Sequence, residues 1–333
     1  MKREIGSEFW DIPLCDRENE LFPASVKWFL SGRIALKYII MDAGVRSVSM
    51  PEWCCDSMIL PFLENGVTVR FYSGAPSTDT DALFIMDYFG FTEQSQVPAG
   101  YRGTVIRDMT HSIFSKEYDD ADYYFGSLRK WAGFKTGGFA YGSWKKSLEV
   151  AECDETYISL RTTAMRKKKA FISGRTDDKS YLDVFRSANE RLKQLGICAG
   201  SAEDIYAARH LDINFIKEKR RENAKVLMDR VGCMFSLKEN DCPLFVPIIT
   251  EDRDELQKYF IGHQVYCPAH WPRNSLKDRE LSLICDHRYD IADMERICNI
   301  IADFREGKKE YHENNSDYRN RRLDASFDCE NHS

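Results

Sequence analysis

FGSLRKWAGFKTGG, residues 125–138, places one lysine in a turn between an apolar approach and a pair of glycines. Lys130 has Phe125, Leu128 and Trp131 around it in the sequence and Arg129 beside it. An amine becomes a useful nucleophile near neutral pH when burial or a neighbouring cation disfavours its charged form. The aromatic wall and Arg129 would supply both influences. Taken alone, the pattern fits a surface lysine beside a turn better than a reactive one.

The flanking segments change that balance. Upstream, TVIRDMTHS (104–112) ends an apolar strand with Asp108 and sets His111 three residues later. A carboxylate at a strand end faces a ligand edge, although Asp is also a favoured helix cap. Further upstream, LSGRIAL (30–36) puts Ser31 at a helix start with Gly32 and Arg33 in the first turn. Free backbone N–H groups and the helix dipole attract phosphate there. A lysine for an aldehyde, an acid for a ring nitrogen and a helix start for a phosphate together meet the needs of pyridoxal phosphate.

The surrounding text has α/β rhythm. The run 25–44, SVKWFLSGRIALKYIIMDAG, reads as a helix closed by Gly44, and SVSMPEW, VTVRFYS, DALFIMDYFG and GTVIRDMTHS read as strands, with the helix DSMILPFLENG among them. That order predicts a mostly parallel sheet with ligand-facing residues at the carboxyl ends of its strands. Helical patterns fill 160–230, and CPLFVPIIT, RDELQKYFIGHQVYC and DIADMERICNIIADF supply a second, smaller α/β unit. The expected division is an N-terminal segment over 1–23, a large domain over 24–190, a smaller domain over 191–305 and a polar tail over 306–333.

Composition excludes other classes. A chain of 333 residues, 43% hydrophobic and 13% aromatic, builds a large core or two unequal ones. A net charge of −6 gives no long-range field for nucleic acid or anionic lipid, so any anion must be caught locally. The 11 cysteines are odd in number and show no CxxC pair, which argues against a disulfide frame and a structural metal. The opening MKREIGSEFW lacks a secretory apolar stretch and no window has the ~20 apolar residues of a membrane span, so a cytoplasmic protein is expected.

From about Leu30 to Phe304 the sequence resembles the DegT/DnrJ/EryC1/StrS sugar aminotransferase family, within the fold type I pyridoxal-phosphate enzymes. The resemblance rests on SGRIAL, MPEWCCDS, DYFG, RDMTHS, SLRKWAGFKTGG, VYCPAHWP and LSLICDHRY, in that order. It implies that Lys130 forms the internal aldimine, that Asp108 pairs with the pyridinium nitrogen and that His111 lies near the ring hydroxyl. Ser31, Gly32, Arg33 and Ser127 would hold the phosphate. It further implies a mostly parallel central sheet with helices on both faces, a homodimer, an amino-acid donor such as glutamate and a nucleotide-linked keto-sugar acceptor, as in polysaccharide biosynthesis.

Departures from the family pattern define what to look for. Arg33 replaces a small hydroxyl residue, and its guanidinium could grip phosphate bidentately. Strict alignment from Pro51 puts Cys55 where the family stacks an aromatic ring on the cofactor, with Trp53 two residues earlier; if the strand continues, both share a face. Thr136 replaces an acid before Gly137 and Gly138. The basic run MRKKKAF (165–171) reads as a solvated face or a contact for a nucleotide diphosphate, and His270 and Trp271 match the family's domain-closing segment. Two alternatives stand: a non-catalytic protein on the same fold, and a pyridoxal-phosphate-dependent sugar dehydratase, which Lys130 opposes because those enzymes carry histidine there.

Overall fold

The computed structural model describes residues 4–92, 95–270, 276 and 278–308. Strands β1 (Ile5–Gly6) and β2 (Lys27–Phe29) lead into α1 (Gly32–Ala43), β3 (Ser47–Pro51), α2 (Asp56–Glu64) and β4 (Thr68–Tyr72). Next come β5 (Ala82–Met86), β6 (Thr104–Asp108), β7 (Tyr123–Ser127) and β8 (Gly138–Gly142), then the helices α3 (Glu155–Ile172), α4 (Tyr181–Lys193), α5 (Ala202–Arg209) and α6 (Ile213–Val231). The described part closes with β9 (Val246–Ile249), α7 (Arg253–Gly262), β10 (Val265–Tyr266), β11 (Glu280–Leu283) and α8, a helix over 291–308. Most of the tail expected over 306–333 lies outside the described residues, as do Trp271 and Met1.

Seven strands form the central sheet in the order β2–β8–β7–β6–β5–β3–β4. From β4 to β7 all neighbours are parallel, while β8 runs antiparallel to both β7 and β2. ALFIM in β5 is buried at every position, as a parallel strand covered on both faces must be. The order reverses beside β3: the chain goes out to the edge as β4 and returns on the other side as β5. Such a reversal opens a crevice at the carboxyl ends of the strands.

One element differs from the sequence reading. The run 25–44 is not one helix: α1 begins at Gly32, where the Ser31 reading put the helix start, and Lys27, Trp28 and Phe29 instead pair with Ala140, Phe139 and Gly138 as strand β2. Ser31 then caps α1, its Oγ accepting from the Ile34 amide at 3.3 Å, and Gly44 closes the helix in the left-handed region at φ 67°. The turn into α1 depends on a bare backbone opposite it. A Cβ built on Gly138 would lie 2.2 Å from the Ser31 carbonyl carbon. Gly138→Ala is therefore expected to lower the unfolding free energy by about 3 kcal/mol or more, read from denaturant midpoints; an unchanged midpoint would show that the β2–α1 turn can move aside.

A second core lies in the later part of the chain, where Leu227, Val246, Phe260, Leu281, Leu283 and Ile297 pack together. Ile5 belongs to it, through the parallel pairing of β1 with β10, and burying that side chain contributes about 2 kcal/mol. The N-terminal residues are thus a docked strap. Glu4 is buried between Lys168 at 3.3 Å and Lys179 at 3.4 Å, and accepts from the Tyr181 hydroxyl. Lys169 reaches Asp11 at 2.9 Å. The basic run 165–171 on α3 is thus partly solvated, with Arg166 and Lys169 exposed, and two of its lysines, Lys168 and Lys169, hold the strap.

Candidate active site

The strand ends converge because of register. Asp108, last in β6, stands opposite Phe125 of β7, two residues before Ser127. A short 3-10 turn over Leu128–Lys130 follows directly. On the far side of β7, β8 carries β2, whose exit is the Ser31 cap of α1. Ser31, Gly32, Arg33, Cys55, Asp108, His111, Ser127 and Lys130 all line one cavity of about 560 Å³. The start of α1 packs directly on the end of β7: a Cβ at Gly32 would meet the Ser127 Cβ at 3.2 Å and the Gly126 carbonyl oxygen at 3.1 Å.

Each wall has a distinct chemistry. Asp108 is buried, and burial lifts its carboxyl to about 6 against the opposing hydrogen bonding of Thr110 and the charge of Lys130. The Thr110 amide donates to Asp108 Oδ1 at 2.7 Å, which fixes the carboxyl at the strand end. His111 is held well below its ordinary pKa, first by burial and then by His270 and Lys130. Its Nδ1 accepts from the Phe89 amide at 3.1 Å, so the neutral ring carries its hydrogen on Nε2. At the other end, the start of α1 presents Ser31 and Gly32, and Arg33 donates to Ser57 Oγ at 3.2 Å. That end is suited to an anion.

The structure corrects parts of the sequence argument. Lys130 is exposed rather than walled in. Leu128 and Trp131 are fully buried in a separate core, where the Trp131 indole N–H donates to the Thr110 carbonyl at 2.7 Å. Phe125 is the member of that trio that lines the cavity. Trp53 and Cys55 do not share a strand face, because β3 ends at Pro51. Cys55 sits at the cap position of α2 and lines the cavity, whereas Trp53 packs edge-on against Tyr88, ring centroids 5.3 Å apart. Thr136 is tied to Asp204, which accepts from its amide at 2.7 Å and its hydroxyl at 2.8 Å. A carboxylate from α5 thereby pins the turn where the acid of the sequence pattern is missing.

Other cavity residues come from segments that motif reading passed over, except His270, which lies in the VYCPAHWP segment named above. Glu8 arrives on the strap, Asn189 and Lys193 on α4, and His270 after β10. His270 Nδ1 lies 2.9 Å from Ser282 Oγ, and its ring centroid is 6.1 Å from that of His111. The apolar neighbours in IGSEFW were the available signal that this segment docks instead of trailing. Asp87 and Tyr88, by contrast, lie off the cavity wall; Asp87 accepts from Tyr118 at 2.8 Å and from the Ser95 amide at 3.1 Å, beside Arg107. Among the described residues no group of three or more His, Cys, Asp or Glu could hold a metal ion, and no helix is long and apolar enough to cross a membrane.

No protein-family model matches the chain, and no curated protein matches it by sequence. Solved structures match most of it. An aminotransferase of the DegT, DnrJ, EryC1 and StrS type from Brucella abortus is 14% identical with a TM-score of 0.56, over 84% of this chain and 85% of that one. A putative sugar aminotransferase from Streptococcus pneumoniae in its PLP form is 12% identical with a TM-score of 0.55, over 82% and 85%. DesI, solved with its TDP-sugar product, is 13% identical with a TM-score of 0.55, over 83% and 79%. The fold is that of the sugar aminotransferases. It is the fold type I arrangement of pyridoxal-phosphate-dependent transferases, here a seven-stranded, mostly parallel sheet. Similarity at this level of identity speaks to architecture; the chemistry has to be argued from the side chains.

Proposed function

We propose that the chain is a pyridoxal-phosphate-dependent aminotransferase that moves an amino group from an amino acid, glutamate in the first instance, to a keto-sugar carried on a nucleotide. The observation that carries this reading is the meeting of Lys130, Asp108, His111 and the start of α1 in one cavity at the strand ends. The donor set fits the cofactor: a buried acid, an amine and an anion-binding helix start line the same cavity. DesI with its TDP-sugar product supports the choice of acceptor class. A second copy of the chain completing the site is part of the same reading.

Pyridoxal phosphate, when bound, supplies an aldehyde that takes up an amino group and a ring that holds the electron pair released at the substrate carbon. The residues do the rest. Asp108 would hold a proton on the ring nitrogen, and a cation beside it would draw its carboxyl down from about 6 and keep it ionised at neutral pH. His111, with its hydrogen on Nε2, would donate to the ring oxygen. Ser31, Gly32, Arg33, Ser57 and Ser127 would hold the phosphate, with the dipole of α1 behind them. The Lys130 amine, exposed on the cavity wall, moves the proton at the substrate carbon.

The test is spectroscopic. Protein supplied with pyridoxal phosphate is expected to be yellow, L-glutamate to bleach it, and one member of a panel of 3-keto and 4-keto nucleotide sugars to restore the colour. Bound cofactor whose spectrum ignores glutamate and every other amino acid would leave a binding protein on an aminotransferase fold. Failure to bind cofactor at all would remove the reading.

A further inference from the structure

Beside the Lys130 wall lies a cluster of charges that the roles above do not use. Glu8 Oε2 accepts from Arg161 Nη1 at 3.2 Å; Glu8 and Arg129 line the cavity, and Arg161 is buried against Glu8 without lining it. Arg161 is 1% exposed and also donates from Nη2 to the Phe134 carbonyl. Burial would raise the Glu8 carboxyl, but Arg161, Arg129 and Lys130 together hold it below the ordinary carboxylate range. Three cations therefore act on one carboxylate, two of them, Arg129 and Lys130, on the cavity wall.

The donors are under-used as well. Arg129 Nε and Arg161 Nε are both buried and have no hydrogen-bond acceptor among the described residues. A guanidinium presents five N–H groups in a fork suited to a bidentate carboxylate. The Glu8–Arg161 contact uses one of them, and at 3.2 Å it is longer than the 2.7–2.9 Å usual for such pairs. The strap does not depend on this contact: Arg288 donates to the Ser7 and Glu8 carbonyls and lies 3.9 Å over the Phe9 ring, while Glu4 is held by its own lysines. The Glu8 side chain is free to swing without releasing its backbone.

Resting on the amino-transfer reading, we propose that Arg129 and Arg161 form the pocket for the α-carboxylate of the amino-acid donor, and that Glu8 is a resident carboxylate which the donor displaces. The chemistry of the donor places it there. An amino acid whose nitrogen lies beside the Lys130 amine carries its carboxylate carbon only two bonds away, next to the residue that precedes Lys130. Arg129 thereby selects α-amino acids over simple amines, and Glu8 keeps the arginines paired between turnovers.

The experiment compares wild type, Arg129→Gln, Arg129→Lys and Glu8→Gln, each shown by thermal melting to be folded. Two quantities are read on the cofactor-loaded protein: the L-glutamate concentration that half-bleaches the cofactor, and calorimetric binding of 2-oxoglutarate. Arg129→Gln is expected to raise the half-bleaching concentration roughly 10- to 100-fold, with partial rescue by Arg129→Lys, because a hydrogen-bonded charge is lost. Glu8→Gln, which removes the competitor, is expected to lower it roughly two- to fivefold. Equal half-bleaching in wild type and Arg129→Gln would overturn the pocket while amino transfer stood. Binding of 2-oxoglutarate that depends on Arg129, in a protein whose spectrum ignores glutamate, would keep the carboxylate pocket and overturn the amino-transfer reading.

Discussion

Lys130→Ala is expected to fold as the wild type does and to lose amino transfer by about 10⁴-fold or more, since in the proposed function the residue both anchors the cofactor and moves the substrate proton. The stability half of this expectation comes from exposure. Lys130 stands on the open wall of the cavity, and truncating an exposed side chain changes stability by no more than about 0.5 kcal/mol. Cofactor binding should survive in part, because the anion end, Asp108 and His111 are untouched. A variant that melts as wild type, still takes up cofactor and turns over at the wild-type rate would move the chemistry to another amine.

Asp108→Asn is expected to be more stable than wild type without cofactor and less active with it by about 10³-fold, as for loss of one charge-stabilising group in a water-excluded site. The sign follows from burial. The carboxyl is raised from 3.8 to about 6, so the unfolded chain gives up its proton earlier in a pH rise than the folded one does. Below about pH 4 the carboxyl is protonated in both states and costs nothing. Between about pH 4 and pH 6 stability falls as pH rises, and above that the ionised carboxyl costs on the order of 3 kcal/mol. Asparagine carries no such charge. The melting temperature of the cofactor-free variant should therefore pull ahead of wild type across that window and stay ahead at neutral pH. Parallel pH profiles would mean that Asp108 is not strained by burial, and that its place at the strand end has another cause.

How much of this the sequence carried can be argued residue by residue. Asp108 and Ser31 were legible because each closes or opens an element by local rules: an apolar strand that stops at a charge, and a helix that starts at a hydroxyl followed by glycine. Strand β2 was not, since three residues of KWF take extended form only through pairing with Gly138 to Ala140, more than a hundred positions later. The environment of Lys130 was misjudged for a related reason. Adjacency in FGSLRKW suggested an aromatic wall, but the 3-10 turn points Leu128 and Trp131 into a different core from the one behind Phe125. Trp53 and Cys55 depended on a strand continuing past Pro51, where the backbone instead turns into α2.

The strap was least legible of all. Glu8 reaches Arg161 across 153 positions, and Glu4 reaches Lys168 across 164. Neither partner announces itself: the lysines of MRKKKAF look solvated until the acidic strap is laid over them. The same kind of long-range pairing supplies Asp204 to Thr136, which replaces a local acid with one from another helix.

Borohydride reduction of the cofactor-loaded protein, followed by mass mapping of its peptides, tests the central claim most directly. The account predicts a reduced pyridoxyl-phosphate label on Lys130 and its loss in Lys130→Ala. Label on any other lysine, or none on a protein that demonstrably binds the cofactor, would contradict it.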